Sequence, residues 1–113
     1  LYACSGRETP EADLRCLDFE TGAVKWSQEF RSAPSEPKEQ AQVLAADGKL
    51  ILITGYGDLV LAEANPNACR QLGVLKLDQG KQKCQWWTPP SLSNGRLYCR
   101  STVGDTVCID LKK

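Results

Sequence analysis

Residues 47–63 read DGKLILITGYGDLVLAE, and residues 94–110 read NGRLYCRSTVGDTVCID. The two stretches match at an offset of 47 residues in three landmarks: a two-residue turn (Asp47-Gly48 and Asn94-Gly95), a leading leucine, and an aspartate eight residues after that leucine. A fixed period of this length is typical of repeat architectures, in which each repeat is one supersecondary unit. The chain is therefore predicted to repeat about every 47 residues.

A third copy of the repeat precedes these two. Its strand Asp13-Leu14-Arg15-Cys16-Leu17-Asp18 matches the strands that open with Asp58 and Asp105, and it follows Leu1-Tyr2-Ala3-Cys4. The spacing from Leu1 to Asp13 is 12 residues rather than 8. We therefore expect a four-residue insertion within residues 7–11.

Each unit is predicted to be entirely β. Asp-Gly and Asn-Gly between apolar runs are strong hairpin signals, because type I′ turns need positive φ at both central residues. No stretch has a 3.6-residue apolar period long enough for a helix, although residues 36–45 are ambiguous. If the strands of one unit are named A to D, the chain reads B-C-D, then A-B-C-D, then A-B-C, with the complete unit at about 42–77. Four antiparallel strands in such a unit are typical of a propeller blade.

One segment carries a family resemblance. Residues 16–26, CLDFETGAVKW, combine an aspartate, a Thr-Gly turn and a tryptophan. This motif resembles the repeat of the quinoprotein-dehydrogenase-like β-propellers. The full motif occurs once, because the middle unit has Ala64-Asn65-Pro66-Asn67 where Thr-Gly would fall. Residues 87–111 resemble the last blade of bacterial members.

The resemblance implies about 2.4 four-stranded antiparallel blades, with segments at about 1–30, 41–77 and 86–111. Propellers close with about four to eight blades, which at this period needs roughly 190 to 380 residues. Joining the last unit to the first would also lack a D and an A strand, leaving two edges unpaired. We therefore expect the C-terminal portion of a larger propeller, with the remaining blades as its partners.

Composition excludes several functional classes. Lys+Arg and Asp+Glu are both 14, so the chain is neutral and has no general attraction to nucleic acid or anionic membranes. Histidine is absent, which excludes Ser-His and Cys-His nucleophile pairs. The longest apolar runs have four or five residues, too short for a membrane span.

The six cysteines allow several interpretations. No C-x-x-C occurs, so the sequence contains neither a redox dithiol motif nor a paired zinc knuckle. Disulfides in an oxidising compartment and buried thiols both remain open. Cys16 and Cys108 occupy the same repeat position, which is Leu61 in the middle unit, and we expect this position to face an apolar interface. We predict at most one or two disulfides, with Cys16 and Cys108 as buried thiols.

The predicted site lies among the loops. The A–B and C–D turns are short, whereas the B–C and D–A connections are longer, and strand alternation places the longer ones on one face. Loop elaboration is where binding residues concentrate, although tolerated surface loops would look the same. The candidate binding residues on this face are Arg7, Glu8, Tyr56, Gln85, Trp86, Trp87 and Arg100, and no catalytic or metal-ligating residue is predicted.

Several other conspicuous residues have an expected structural role, and the adjacent tryptophans have two alternative roles. Trp86 and Trp87 could stack on a planar ligand, or one ring could dock between blades while Pro89 and Pro90 open the next strand. Trp26 is expected to pack between the first two units. The recurring Asp13, Asp58 and Asp105 are expected to accept backbone N–H groups at turns rather than to bind metal. Residues 31–40 are predicted to be a solvated loop.

Two functions follow from the resemblance. The first is a non-catalytic binding or scaffold module of an exported, periplasmic bacterial protein, without a cofactor, like the propeller lipoprotein of the outer-membrane assembly machinery. The alternative is a fragment of a quinone-dependent alcohol or sugar dehydrogenase, which would need pyrroloquinoline quinone and calcium. The ligand, a protein or a small molecule, is not identified by the sequence.

Overall fold

The computed structural model describes residues 1–5, 13–31, 34–35, 38–77 and 85–112. These residues form ten β-strands, and no helix occurs among them. The strands are β1 (Tyr2–Ser5), β2 (Asp13–Leu17), β3 (Val24–Gln28), β4 (Ala41–Ala46), β5 (Lys49–Thr54), β6 (Asp58–Glu63), β7 (Gln71–Lys76), β8 (Ser91–Ser93), β9 (Arg96–Arg100) and β10 (Thr106–Asp110).

The strands pair in chain order into three antiparallel sheets. The first sheet contains β1-β2-β3, the middle sheet β4-β5-β6-β7, and the third β8-β9-β10. This order of three, four and three strands matches the predicted series B-C-D, A-B-C-D and A-B-C. The all-β prediction is confirmed, and the ambiguous residues before position 45 contribute a strand, β4.

The two-residue turns have the predicted backbone conformation. Asp47 and Gly48 have φ of 49° and 68°, and Asn94 and Gly95 have φ of 50° and 72°. Asparagine, aspartate and glycine tolerate this left-handed region, and two such residues match the twist of the flanking strands. The predicted hairpins β4-β5 and β8-β9 are therefore confirmed at both turns.

The repeat is preserved in the hydrogen bonds that close each B–C hairpin. The amides of Leu17, Ala64 and Leu111 donate to the carbonyls of Leu1, Gly48 and Gly95 at 2.7, 3.0 and 2.8 Å, so both members advance by 47 residues. The three hairpins have equal length, since Cys4 pairs with Leu14, Ile51 with Leu61 and Tyr98 with Cys108, each pair ten residues apart. The predicted four-residue insertion is therefore wrong, because the prediction aligned Leu1 with Leu50, whereas the hydrogen bonds align Leu1 with Gly48. The connection itself, with residues 7–11, lies outside the described residues.

The central strand of the middle sheet, β5, is buried on both faces. Leu50, Leu52, Val60 and Ala62 pack with Leu14 of the first sheet. Ile51, Ile53 and Leu59 pack with Leu97 and Cys99 of the third sheet. Because successive side chains of a strand point to opposite faces, a strand covered on both sides is apolar at every position. This explains the uninterrupted run Leu50–Ile53.

Trp26 lies at the interface between the first and middle sheets, as predicted. Its ring packs against their shared core and lies 5.9 Å from the Tyr2 ring, centroid to centroid. Its indole N–H donates to the carbonyl of Asn65 at 2.8 Å, in the turn between β6 and β7. The ring is half-buried, so it closes the edge of this interface.

The sheets stack with equivalent faces oriented the same way. Leu14 of β2 corresponds to Leu61 of β6 in the 47-residue register, and Leu61 shares its face of the strand with Leu59, two residues earlier. Leu14 faces the middle sheet, and Leu59 faces the third. Each interface therefore joins a face of one sheet to the opposite face of the next.

The prediction that Cys16, Leu61 and Cys108 share one repeat position is wrong, since Cys16 corresponds to Glu63, and the expected burial is wrong for two of the three residues. Cys16 is buried at the first interface, but Leu61 and Cys108 are exposed. Leu61 pairs with Gly73 of β7, a strand whose residues are all exposed. Cys108 pairs with the exposed Tyr98, on the face of the third sheet that points away from the middle sheet.

Candidate functional site

Four connecting segments are hydrogen-bonded in series along one edge of the sheets. The Gly55 amide donates to the Gln40 carbonyl and the Trp86 amide donates to the Gly55 carbonyl, each at 2.9 Å. Thr102 then donates to the carbonyl of Gln85 at 2.8 Å. Segments 38–40 and 85–87 thereby meet the turns 55–57 and 101–104. We call these four segments the turn edge.

The two turns of this edge share one local structure. The hydroxyl oxygens of Thr54 and Ser101 accept the amide N–H of Asp58 and Asp105, at 3.1 and 3.0 Å. Each turn also contains a glycine in the left-handed region, at 90° and 94°. Both hydroxyl residues are buried. A buried hydroxyl that satisfies a turn amide holds the connection in one conformation.

Asp58 and Asp105 therefore act differently from the prediction. In the two turns the aspartate backbone donates to a hydroxyl, and its carboxylate does not accept the turn amide. The carboxylate of Asp58 pairs with Lys76 at 3.1 Å, and that of Asp13 pairs with Arg15 at 2.9 Å. Arg15 lies on the same strand as Asp13, and Lys76 lies on the strand next to Asp58. Each side chain can therefore reach its carboxylate along the surface of the sheet.

Asp18 has the role that was predicted for the other aspartates. Its Oδ1 accepts the amides of Glu20 and Thr21, each at 3.0 Å, at the turn between β2 and β3. These bonds to Thr21 and Glu20 lower the pKa of the Asp18 carboxyl. Gly22 follows with φ of 73°. The aspartate and Thr-Gly of the motif thus form one Asx-stabilised turn.

The adjacent tryptophans have separate roles. Trp86 is 2% exposed and packs between the middle and third sheets, against Ile51, Ile53 and Leu97. Trp87 is 40% exposed, and a methyl group built on Gly55 would lie 3.7 Å from its Nε1. One ring therefore docks between sheets, while the other borders solvent beside the turn at Gly55. β8 begins at Ser91, directly after Pro89 and Pro90.

Glu39 was not found by sequence reasoning. The prediction of a solvated loop over residues 31–40 is wrong at this position, since Glu39 is 3% exposed. Its Oε2 accepts the Tyr56 amide at 3.3 Å. Its Oε1 and the Nε1 of Trp86 are buried without a hydrogen-bond partner among the described residues. No sequence motif marks Glu39, because its neighbours in the chain are equally polar.

Most of the predicted binding residues lie at the turn edge. Tyr56 and Trp87 are exposed there, Gln85 is half-buried, and Trp86 is buried. Arg100 is exposed at the end of β9, where the chain enters the turn 101–104. Arg7 and Glu8 lie outside the described residues. No three His, Cys, Asp or Glu side chains in the described part of the chain are grouped as metal ligands.

The cysteines of the described residues are free thiols: Cys4, Cys16, Cys69, Cys99 and Cys108. Of the two predicted buried thiols, Cys16 is buried and Cys108 is exposed. Cys4 pairs with Leu14 and Cys16 with Tyr2, so the two cysteines of this hairpin are not opposite each other. Burial is the main factor that raises the pKa of the Cys4 thiol, to about 11, and the charge of Asp13 adds to it. Cys84 lies outside the described residues.

Among the five cysteines that the structure describes, thiol labelling of the native protein is expected to begin at Cys108. Cys108 is exposed, whereas Cys16 and Cys99 are buried, and burial also raises the pKa of Cys99. Because the thiolate reacts and a buried thiol must first be exposed by opening, Cys16 and Cys99 should react at least about a hundredfold more slowly. Peptide mapping after timed iodoacetamide treatment at pH 8 measures each rate. Equal rates for Cys16 and Cys108 would contradict the stacking of the first two sheets.

Comparison with protein-family models and with curated proteins finds no match for this chain. Across the described ranges, no helix is long and apolar enough to cross a membrane.

Proposed function

We propose that this chain consists of consecutive blades of a β-propeller and serves as a non-catalytic binding module. The stacking of equivalent faces supports the propeller, because an interface between different faces of identical units continues until a ring closes. The preserved 47-residue register of the hairpin bonds supports it as well. The uncovered faces of the first and third sheets would then contact the remaining blades of the parent propeller. The motif at residues 16–26 favours an exported, periplasmic bacterial protein.

The observation that carries the binding proposal is a pair of exposed aromatic side chains on rigid connections. Tyr56 is 47% exposed in a turn whose amides bond to Glu39 and Gln40. Trp87 follows Trp86, whose amide is bonded to Gly55 and whose ring is buried. Aromatic residues held in this way bury a large area on binding at little cost in conformational entropy. The turn edge is therefore the proposed site for a small molecule or a protein, not a nucleic acid.

Fragment screening by amide chemical shifts tests this proposal without knowledge of the natural ligand. A set of neutral aromatic, aliphatic, anionic and cationic fragments is added to the full chain, labelled with ¹⁵N. Shift changes are expected to concentrate at residues 55–57, 85–87 and 101–104. The turns at the opposite edge, residues 20–22, 47–48 and 94–95, serve as the internal control.

Two results would contradict the proposal. Fragments that bind only at the opposite edge, or nowhere, would remove the turn edge as a binding site. Saturable binding of pyrroloquinoline quinone that depends on calcium would favour a dehydrogenase fragment instead. Quenching of tryptophan fluorescence measures that binding directly.

A further inference from the structure

The carboxylate of Glu39 is buried at the turn edge with one of its two oxygens unsatisfied in the described part of the chain. It is nine-tenths buried, one oxygen accepts the Tyr56 amide, and Oε1 has no partner among the described residues. The adjacent Lys38 pairs with Glu29. The other ion pairs of the described residues also involve other carboxylates.

A buried carboxylate with one unsatisfied oxygen favours a cationic hydrogen-bond donor. Removing an ionised carboxylate from water is costly unless it is paired and hydrogen-bonded. Hydrogen bonds with a charged donor are the strongest available to its free lone pairs. A donor supplied from outside the described residues would therefore bind most strongly if it carried a positive charge.

The surroundings of Glu39 favour an alkylammonium group in particular. The turn that bonds to Glu39 carries Tyr56, and Trp87 lies beside Gly55 of the same turn. Aromatic faces attract cations and also cover the methylene groups of an alkyl chain. A primary ammonium has N–H donors for Oε1, which a quaternary ammonium lacks.

We infer that the turn edge binds a primary alkylammonium group, with Glu39 as its anionic partner and the exposed aromatic rings as its border. The group can come from a small amine or from a lysine side chain of a protein partner. This inference rests on the proposed function, since it names the ligand class of the same site.

Titration with n-butylammonium tests the inference, with 1-butanol as the neutral probe of similar size. The amide of Tyr56 and the indole signals of the tryptophans report binding. We expect saturable shifts with n-butylammonium that Glu39→Gln weakens at least tenfold, while the amide oxygen of Gln can still accept the Tyr56 amide. Glu63→Gln is the matched control, because Glu63 lies in the same sheet at the far end of β6 and pairs with Arg70. The affinity of the Glu63→Gln variant for n-butylammonium should equal that of the unchanged protein.

The charge of Glu39 is measured independently by its ¹³C carboxyl signal at pH 7. A ¹³C chemical shift typical of an ionised carboxylate, which changes on addition of n-butylammonium, supports the inference. A protonated carboxyl would overturn it. The Glu39 carboxyl shift should be the same in a Lys81→Gln, Lys83→Gln double variant as in the unchanged protein. A different shift would also overturn the inference, because a lysine of the chain itself would then be the partner of Glu39.

The two sources of the group are separated by a second titration. A lysine-containing tripeptide that binds at least tenfold more tightly than n-butylammonium indicates a protein partner, and equal or weaker binding indicates a small amine. If neutral fragments bind at the turn edge but Glu39→Gln has no effect on n-butylammonium, the inference fails and the proposed function stands. If no probe binds there, both fail.

Discussion

Replacing Trp86 with alanine is expected to lower the free energy of unfolding by about 3–5 kcal/mol. The Trp86 ring is almost fully buried between the middle and third sheets, in a cluster with Ile53, Leu59 and Leu97. Its removal takes away apolar contacts on both sides and leaves a cavity that the two sheets cannot fill without moving together. Equilibrium urea denaturation of the full chain, followed by far-UV circular dichroism, measures the change.

Trp87 provides the matched control, since it is the same residue type at the next position. Its ring is 40% exposed, so Trp87→Ala should cost much less, about 1 kcal/mol or below. Equal losses for the two variants would contradict the separate roles assigned to the rings. The same pair also separates stability from binding, because only Trp87 borders solvent at the turn edge.

The second large effect is expected at Leu52, where Leu52→Ala should destabilise the chain by about 2–5 kcal/mol. Leu52 is 0% exposed and lies in the cluster that joins the middle sheet to Leu14 of the first sheet. It pairs with Val43 and Val60 on its two neighbouring strands. A cavity at this central position weakens the first interface and the middle sheet together.

Leu75→Ala is the control for Leu52→Ala. Leu75 lies in the same sheet but is 50% exposed on β7, so its loss should fall within about 1 kcal/mol. Urea denaturation is again the measurement. The dependence of the free energy of unfolding on urea concentration should be the same as in the unchanged protein if both variants unfold in one step. If Leu52→Ala lowered the free energy of unfolding no more than Leu75→Ala, the middle sheet would not be buried on the face that packs against the first sheet.

The strand order was predictable from the sequence because its signals are local. Asp47-Gly48 and Asn94-Gly95 favour a turn with positive φ whatever surrounds them. The offset of 47 residues then places equivalent strands in each unit, whereas the similarity of Asp13 to Asp58 was misleading, because the hairpin register aligns Asp13 with Val60. The apolar run Leu50–Ile53 could be recognised as a strand, but its two covered faces became clear only from its neighbours.

The parts that sequence reasoning missed depend on contacts between distant segments. The burial of Glu39 results from the turn at Tyr56 and from the position of β4, neither of which is marked at residue 39. The hydroxyl groups of Thr54 and Ser101 were overlooked, although a Ser or Thr four residues before each aspartate is a visible signal. The aspartates were noticed instead because they recur more conspicuously.

The amino-acid sequence by itself determined the β-character, the number of strands in each sheet and the positions of the tight turns, because these follow from backbone conformational preference and from the period of the repeat. Only the tertiary structure decided which apolar positions are covered. Cys16 and Cys108 lie on equivalent faces of their sheets, yet one is buried and the other exposed, because the middle sheet covers the first sheet and no described residue covers the outer face of the third. Trp86 and Trp87 differ for the same reason, since burial depends on the neighbouring sheet and not on residue type.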